Sequence, residues 1–121
     1  KTWMFSRAFS AEYPLKKCME GLFQRLPNRK YVRTDLATEI FTTNANGVFV
    51  FGNLTNSMGG PGSTWTELSA DWTTNSNNCS DWTSSAAGAG IRAFGNSTTA
   101  QAIEANTAGC SSSFKIYCVE Q

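Results

Sequence analysis

The chain has 121 residues, about 40% of them hydrophobic, and carries a formal net charge of +1. This length holds one hydrophobic core but not two ordinary domains, and no apolar run reaches the roughly 18 residues that a membrane span requires. Histidine is absent, which excludes Ser–His and Cys–His nucleophile pairs and the commonest metal ligand. We therefore expect a single domain with no cofactor and no transmembrane segment.

The charge is distributed unevenly along the chain. Residues 1–40, the basic segment, hold eight Lys and Arg against four acids, whereas residues 41–121 hold two against five. A solvated surface is the simpler interpretation of the basic segment, and a patch for a heparin-like polyanion or sulfated glycan is the alternative. Because the excess is small and no aromatic–basic repeat accompanies it, we expect no nucleic-acid partner.

A helical pattern comes first in the chain, with apolar residues at Leu15, Met19, Leu22, Phe23 and Leu26. Their spacing predicts a short helix over about residues 14–24, with Cys18 on or near its apolar face. Pro14 stands near the predicted start, where proline is tolerated, and Pro27 lies beyond the predicted end.

A hairpin is predicted next, in "EIFTTNANGVFVFGNL". Asn46-Gly47 is a strong turn signal between two β-prone runs, so we expect strands near residues 39–43 and 47–51. Phe49 and Phe51 would share one face of the second strand, with valines on the other. Since both faces carry apolar side chains, we expect this strand to be central in its sheet.

Residues 52–113 are rich in Ser, Thr, Asn and Gly but are punctuated by large apolar residues and two cysteines. This composition predicts a long ordered loop region, because loops of such length in a compact domain are usually functional or cross-linked. In the last strand, predicted near residues 114–119, Phe114, Ile116 and Cys118 would face the core by alternation.

The cysteines are Cys18, Cys79, Cys110 and Cys118. An even number in a small polar chain predicts two disulfides in an oxidising compartment. A zinc site is disfavoured because no close C-x-x-C pair occurs. The nested pairing Cys18–Cys118 around Cys79–Cys110 is the best of three connectivities, and spacing leaves the other two open. The inner bridge would close about 32 residues and stabilise the fold by roughly 3–4 kcal/mol.

The candidate ligand-binding residues are Trp65, Trp72, Asp71 and Asp81. Tryptophans in a small domain are either anchors of the core and loops, with Trp82 the first candidate for burial, or exposed binding hot spots. Both interpretations stay open at this point.

No catalytic or metal-binding residues are assigned. Glu67 with Asp71, or Asp71 with Asp81, would be the acid/base pairs for glycoside hydrolysis, but isolated carboxylates in Thr/Asn-rich loops are usually caps and turn residues. The loop region holds only four acids, which is too few for an ordinary Ca²⁺ site of six to eight oxygens.

The cysteine arrangement, with a C-x7-C before the final strand, resembles the C-type-lectin-like fold. The resemblance is closer over residues 27–121, where the chain is similar to the endostatin-like family of leptospiral surface lipoproteins, first catalogued as a domain of unknown function. It is carried by "PNRKYVRTD", "IFTTNANGVFVF", "LTNS", "WTELSADWTTNSNNCSDWTSS" and "CSSSFKIYCVEQ". The resemblance implies that the first cysteine pairs with the fourth and the second with the third. Residues 1–26 depart from it, so we expect an atypical, truncated N-terminal half.

These observations together predict one α+β domain over residues 1–121, of C-type-lectin-like architecture, with a small antiparallel sheet, a long ordered loop region and disulfides. The calcium-binding triplets of sugar-binding C-type lectins are missing.

The resemblance also implies a location and a function. It implies a lipoprotein on the outer surface of a spirochaete, in a family with members that bind laminin, fibronectin, complement regulators of the factor H type and plasminogen. We therefore expect a non-enzymatic adhesin or immune-evasion module that binds host extracellular-matrix or complement-regulator proteins. The alternatives are a calcium-independent glycan-binding module and a structural surface protein without a dedicated ligand.

Overall fold

The computed structural model describes residues 2–7 and 25–120, and side chains over residues 25–117. The predicted helix at residues 14–24 and the predicted Cys18–Cys118 disulfide lie outside the described residues. No helix within the described residues is long and apolar enough to cross a membrane.

Seven strands form one mixed sheet in the described part of the chain. The strands follow the order β3-β2-β1-β7-β4-β5-β6 across the sheet. The β1–β2 and β4–β7 pairs are parallel and the other neighbours are antiparallel. The strands are β1 (Thr2–Arg7), β2 (Lys30–Val32), β3 (Glu39–Thr42), β4 (Ser63–Trp65), β5 (Ala89–Phe94), β6 (Asn106–Gly109) and β7 (Lys115–Glu120).

The prediction of an α+β domain is wrong, because the described chain is mostly β. Its helical content is a four-residue turn, α1 (Cys79–Trp82), and a single 3₁₀ turn at Ala100–Ala102. The prediction of a long loop region over residues 52–113 is only partly correct, because β4, β5 and β6 lie within it. Its remaining Gly, Ser, Thr and Asn have low helix propensity and satisfy their backbone groups in turns. The predicted small antiparallel sheet is a larger, mixed one.

The predicted hairpin is correct in its first strand and turn but wrong in its second strand. The turn is present, since the Gly47 N–H donates to the Asn44 carbonyl at 3.0 Å and the Asn44 side chain accepts from the Val48 N–H. β3, however, pairs with β2, and residues 47–51 form no strand. Val50 is 77% exposed, which a central strand would not allow. A three-residue strand such as β2 is too short for its alternation to be recognised from sequence.

The main core covers one face of the sheet. In it, Tyr31 stacks on Phe41 with ring centroids 4.8 Å apart, and the buried Tyr117 hydroxyl donates to the Ala102 carbonyl at 3.1 Å. The buried members are Tyr31, Ile40, Phe41, Leu54, Met58, Leu68, Trp72, Ala93, Ala102, Ile103 and Tyr117.

The predicted last strand is confirmed as β7, but its orientation needs a correction. The main core receives Tyr117 rather than the expected face with Phe114 and Ile116. That second face carries a smaller cluster in which Trp65 and Ile116 are buried and Trp82, Ala108 and Phe114 pack against them. β7 therefore buries apolar side chains on both faces, as expected of a strand between two neighbours.

The Cys79–Cys110 disulfide is confirmed, with a Cα–Cα distance of 5.7 Å. It joins α1 to the residue that follows β6. The bridge therefore fixes the end of the long loop between β4 and β5 against the edge of the sheet.

Candidate functional site

The second face of the sheet carries a group of aromatic side chains around one arginine. We call this group the aromatic–arginine face; it consists of Trp65, Trp82, Arg92, Phe94 and Phe114. It arises from alternation along β5, in which residues 91 and 93 enter the main core side of the sheet and residues 92 and 94 point to the other side. Trp65 on β4 lies directly opposite Arg92 in the antiparallel register.

Arg92 lies over two aromatic rings. Its guanidinium carbon is 5.5 Å from the ring centroid of Phe94 and 5.8 Å from that of Phe114. Nη1 donates to Ser63 Oγ at 3.2 Å, and Nε donates to Asn106 Oδ1. Phe114 in turn packs on Trp65 with centroids 4.7 Å apart. The arginine is thus fixed in orientation by neutral groups.

No carboxylate neutralises Arg92 within the described part of the chain. The ion pair found there joins Lys30 to Glu39, with the Nζ and Oε2 atoms 3.2 Å apart. Nη2 of Arg92 has no hydrogen-bond partner among the described residues, since its bonds use Nε and Nη1. A half-buried guanidinium with free donors can bind an anionic group, and its planar geometry matches a carboxylate or a phosphate.

Trp82 reaches this face through a left-handed turn. In α1, φ is +50° at Cys79, +55° at Ser80 and Asp81, and +66° at Trp82. A left-handed conformation costs roughly 1–2 kcal/mol for each non-glycine residue. The turn is held by the Trp82 N–H donating to Asn78 O and the Ser84 N–H donating to Cys79 O, both at 2.9 Å, and by the disulfide.

Glu67 is a fully buried carboxyl group beside this turn. Its side chain is 0% exposed, and neither carboxyl oxygen has a hydrogen-bond partner. Burial raises the pKa of Glu67 to about 7, opposed in part by the nearby backbone N–H of Ile91. The Ile91 N–H makes its hydrogen bond to the Asn77 carbonyl, at 3.0 Å, and not to the Glu67 carboxyl group. An unpartnered buried carboxylate is costly, so the neutral acid is the favoured form in the folded protein.

Glu67, Cys79 and Trp65 meet at Gly90. A Cβ at position 90 would lie 2.8 Å from Cys79 Sγ, 2.9 Å from Trp65 Cζ3 and closer still to Glu67 Oε1. Glycine is required here because the disulfide, the carboxyl group and the indole fill the space that a side chain would need. The carboxyl group therefore lies beside Cys79, the first residue of α1, and beside Trp65 of the aromatic–arginine face.

The two tryptophans that were predicted as ligand-binding candidates are buried on opposite sides of the sheet. Trp65 is 9% exposed in the second cluster, and Trp72 is 4% exposed in the main core. Trp72 Nε1 donates to the Phe49 carbonyl at 2.8 Å, and the Arg25 guanidinium lies 4.4 Å from the ring centroid. Both indoles are anchors, and a binding role would require the loops above them to open. The expectation that Trp82 is the first candidate for burial is wrong, since Trp82 is only half-buried whereas Trp65 and Trp72 are buried.

The two aspartates among the candidates are exposed turn residues. Asp71 Oδ1 accepts from the Thr73 hydroxyl at 2.6 Å and from its N–H at 3.0 Å, and these bonds lower the pKa of Asp71. Asp81 accepts from Asn78 Nδ2 at 2.6 Å. These are the turn-forming bonds expected of acids in such loops. Within the described residues, no three or more potential metal ligands come together.

The described part of the basic segment is mostly engaged within the fold. Arg25 lies over Trp72, Arg33 donates to the Ser57 carbonyl and hydroxyl at 2.9 Å, and Lys30 pairs with Glu39. Arg29 is exposed. The polyanion site stays a prediction.

Sequence reasoning missed Arg92, Phe94 and Phe114 as a site. The signal was the strand-like alternation in "AGIRAF". Residues 89, 91 and 93 share one face of such a strand, and Arg92 and Phe94 share the other. The neighbouring Gly and Ser residues hid this alternation by favouring a loop. The contact between Arg92 and Phe114 depends on strand order, which no local pattern reveals.

These features define a small, mostly β, disulfide-linked domain with an aromatic–arginine face. A family model described as "Protein of unknown function (DUF1554)" matches residues 23–100. This match covers more than half of the chain, which therefore belongs to the DUF1554 family. No curated protein and no solved structure matches the chain.

Proposed function

We propose that the protein is a non-enzymatic binding module whose aromatic–arginine face binds a protein segment with a carboxylate side chain among apolar residues. The observation that carries the proposal is Arg92, which lies over Phe94 and Phe114 and has no carboxylate partner within the described residues. The rest of the proposal concerns the ligand chemistry, the partner and the absence of catalysis.

The chemistry of this face supports binding of an anionic group such as a carboxylate next to apolar residues. Arg92 is oriented by Ser63 and Asn106, so little side-chain entropy is lost when its free donors bind. Phe94 and Phe114 partly exclude water, which strengthens a charge-assisted hydrogen bond. Aromatic residues and arginine are also the residue types that are enriched in the centres of protein interfaces.

The proposed partners are host extracellular-matrix proteins or complement regulators, met at a bacterial outer surface. This part of the proposal is supported by the resemblance to endostatin-like surface lipoproteins. The Cys79–Cys110 disulfide supports an oxidising location.

The absence of catalysis is part of the proposal. Asp71 and Asp81 are bonded to turn neighbours, and Glu104 accepts from the Ala70 N–H at 2.7 Å. Glu67 is buried without a polar partner. None of these arrangements supports a pair of carboxyl groups facing a common substrate.

The test compares two arginine variants in binding to immobilised laminin and fibronectin. Arg92→Gln removes the charge from the proposed face, whereas Arg29→Gln removes an exposed charge from the basic segment. We expect Arg92→Gln to weaken binding at least about tenfold, as for an interface hot spot, and Arg29→Gln to leave it unchanged. Arg92→Lys, which keeps the charge, should lose less.

Two outcomes would overturn the proposal. Unchanged binding by a folded Arg92→Gln variant would place the partner elsewhere. Loss of binding by Arg29→Gln, together with steep weakening in moderate salt and capture on heparin, would instead favour the polyanion site of the basic segment.

A further inference from the structure

We propose that Glu67 and residues 77–84 form a proton-operated latch: the segment packs closed over the neutral carboxyl group and opens when that group ionises. We call residues 77–84, which contain α1, the latch segment. Only the effect of the latch on binding rests on the proposed function. The latch segment carries Trp82 of the aromatic–arginine face, so its opening would change that face. The latch itself is independent of any ligand.

The first support is the complete burial of a carboxyl group that has no partner. Both oxygens of Glu67 lack hydrogen bonds and the residue is 0% exposed. Around Gly90, the carboxyl group meets the Cys79 sulfur and the Trp65 ring, which cannot stabilise a negative charge. Ionisation must therefore bring water to the group, and water can arrive only if a neighbouring segment moves.

No charged group on the described elements that pack around Glu67 bonds to it, since both of its carboxyl oxygens lack partners. Arg92, on the same face of β5 as Gly90, bonds to Asn106 and Ser63. Asp81 on α1 bonds to Asn78, and Glu104 accepts from the Ala70 N–H. β4 contributes Trp65 and no titratable group at this point. Burial thus accounts for the raised pKa of Glu67, and the Ile91 backbone N–H opposes the shift in part.

The second support is that the latch segment is strained and contains Cys79, whose sulfur lies beside the carboxyl group at Gly90. All four residues of α1 are left-handed, so opening releases backbone strain. Besides the disulfide, the segment is joined to β5 by the Ile91 N–H to Asn77 O bond at 3.0 Å and by an isolated bridge between Asn78 and Gly90. A short, strained segment with few hydrogen bonds to the sheet is the kind that opens locally below the global unfolding free energy. The disulfide keeps Cys79 in place, so the opening concerns the residues on either side of it.

The direction of the pH effect follows from linkage. In the open form the carboxyl group is hydrated and titrates near its ordinary pKa of about 4.3, whereas the closed form holds its proton until about pH 7. The closed form binds more protons between these values, so it loses stability as the pH rises from about 4.5 to about 7, and no further above that. From pH 5.5 to pH 8 the opening equilibrium constant should rise about 30-fold.

The test is amide hydrogen exchange of the oxidised protein at pH 5.5 and pH 8, corrected for the intrinsic rate. We expect the protection of the Trp82, Ser84 and Ile91 N–H groups to fall about 30-fold, and that of the Arg33 N–H, which bonds within the turn after β2, to stay constant. Glu67→Gln should abolish the pH dependence, whereas Glu39→Gln, a surface control, should keep it. An identical pH profile in Glu67→Gln, or a flat profile in the wild type, would overturn the latch.

A second measurement covers the case in which Glu67→Gln does not fold. The Glu67 carboxyl carbon of the wild-type protein, labelled with ¹³C-glutamate, should titrate with a midpoint near pH 7. A midpoint near pH 4–5, as in a hydrated carboxyl group, would overturn the proposal. Neither experiment contains a ligand, so failure of the latch would leave the proposed binding function intact, and the reverse also holds.

Discussion

The backbone of Gly90 lies against the carboxyl group of Glu67, so that a methyl group at position 90 would overlap the Oε1 atom. The Gly90→Ala variant should therefore lose about 2–3 kcal/mol of unfolding free energy by overpacking. The neighbours cannot yield easily, since the Cys79 sulfur is held in a disulfide and the Trp65 ring is buried. Urea denaturation measures the loss. Gly52→Ala is the matched control, because nothing lies within 4 Å of its Cβ position; equal losses in both variants would contradict the close packing.

Glu67 should make global stability fall with rising pH. Its pKa in the folded protein, about 7, exceeds the unfolded value of about 4.3, so its stabilising contribution is complete below about pH 4.3 and is lost as the pH rises through 7. The loss should be on the order of 3 kcal/mol. Urea denaturation from pH 4.5 to pH 8 should show it in the wild type and in Glu39→Gln. If the unfolding free energy of Glu67→Gln falls with pH as steeply as that of the wild type, other groups cause the pH dependence.

The Cys79–Cys110 disulfide should contribute a large share of the stability. It links residues that are 31 positions apart, so replacing both cysteines with alanine should cost roughly 3–4 kcal/mol by the loss of chain entropy in the unfolded state. Denaturant titration of the double variant measures this cost. The latch segment should also lose hydrogen-exchange protection in the double variant, while the Arg33 N–H keeps it. A cost below about 1 kcal/mol would show that the unfolded chain is already compact in this region.

Trp72 should stabilise the fold through its polar edge as well as its area. Trp72→Phe leaves the Phe49 carbonyl without its donor and removes the larger ring beneath Arg25, which should cost about 1–3 kcal/mol. Trp82→Phe is the matched control, and its half-buried ring should cost less than about 1 kcal/mol. The two thermal unfolding curves provide the comparison. A reversed order would mean that Trp82, rather than Trp72, is the anchor.

The parts of the fold that sequence predicted were those with strong local signals. The strand at 39–42, the turn at Asn44–Gly47 and the final strand each rest on a run within one segment. The Cys79–Cys110 pair was one of three connectivities and is the one that the resemblance implies. The failures came from long-range pairing. β3 pairs with the three residues of β2 instead of the run at 47–51. No local pattern indicates which of these two segments is the partner of β3.

The candidate site was harder to predict for the same reason. Arg92 and Phe114 come into contact only because β4 lies between β5 and β7. The tryptophans drew attention by their size, and that same size places Trp65 and Trp72 in the cores. Glu67 was considered only as one half of a catalytic pair, since a sequence does not show that a carboxyl group will lack every partner.

β7 also determines when the sheet can form. It lies between two three-stranded halves, β3-β2-β1 and β4-β5-β6, and pairs with β1 on one side and β4 on the other. Neither half can join the other before residues 115–120 have left the ribosome, however early the halves form. Closure of the sheet is therefore a late, long-range event, of the kind that makes β folding slow. A chain truncated before residue 115 should yield two separate sheet edges and aggregate.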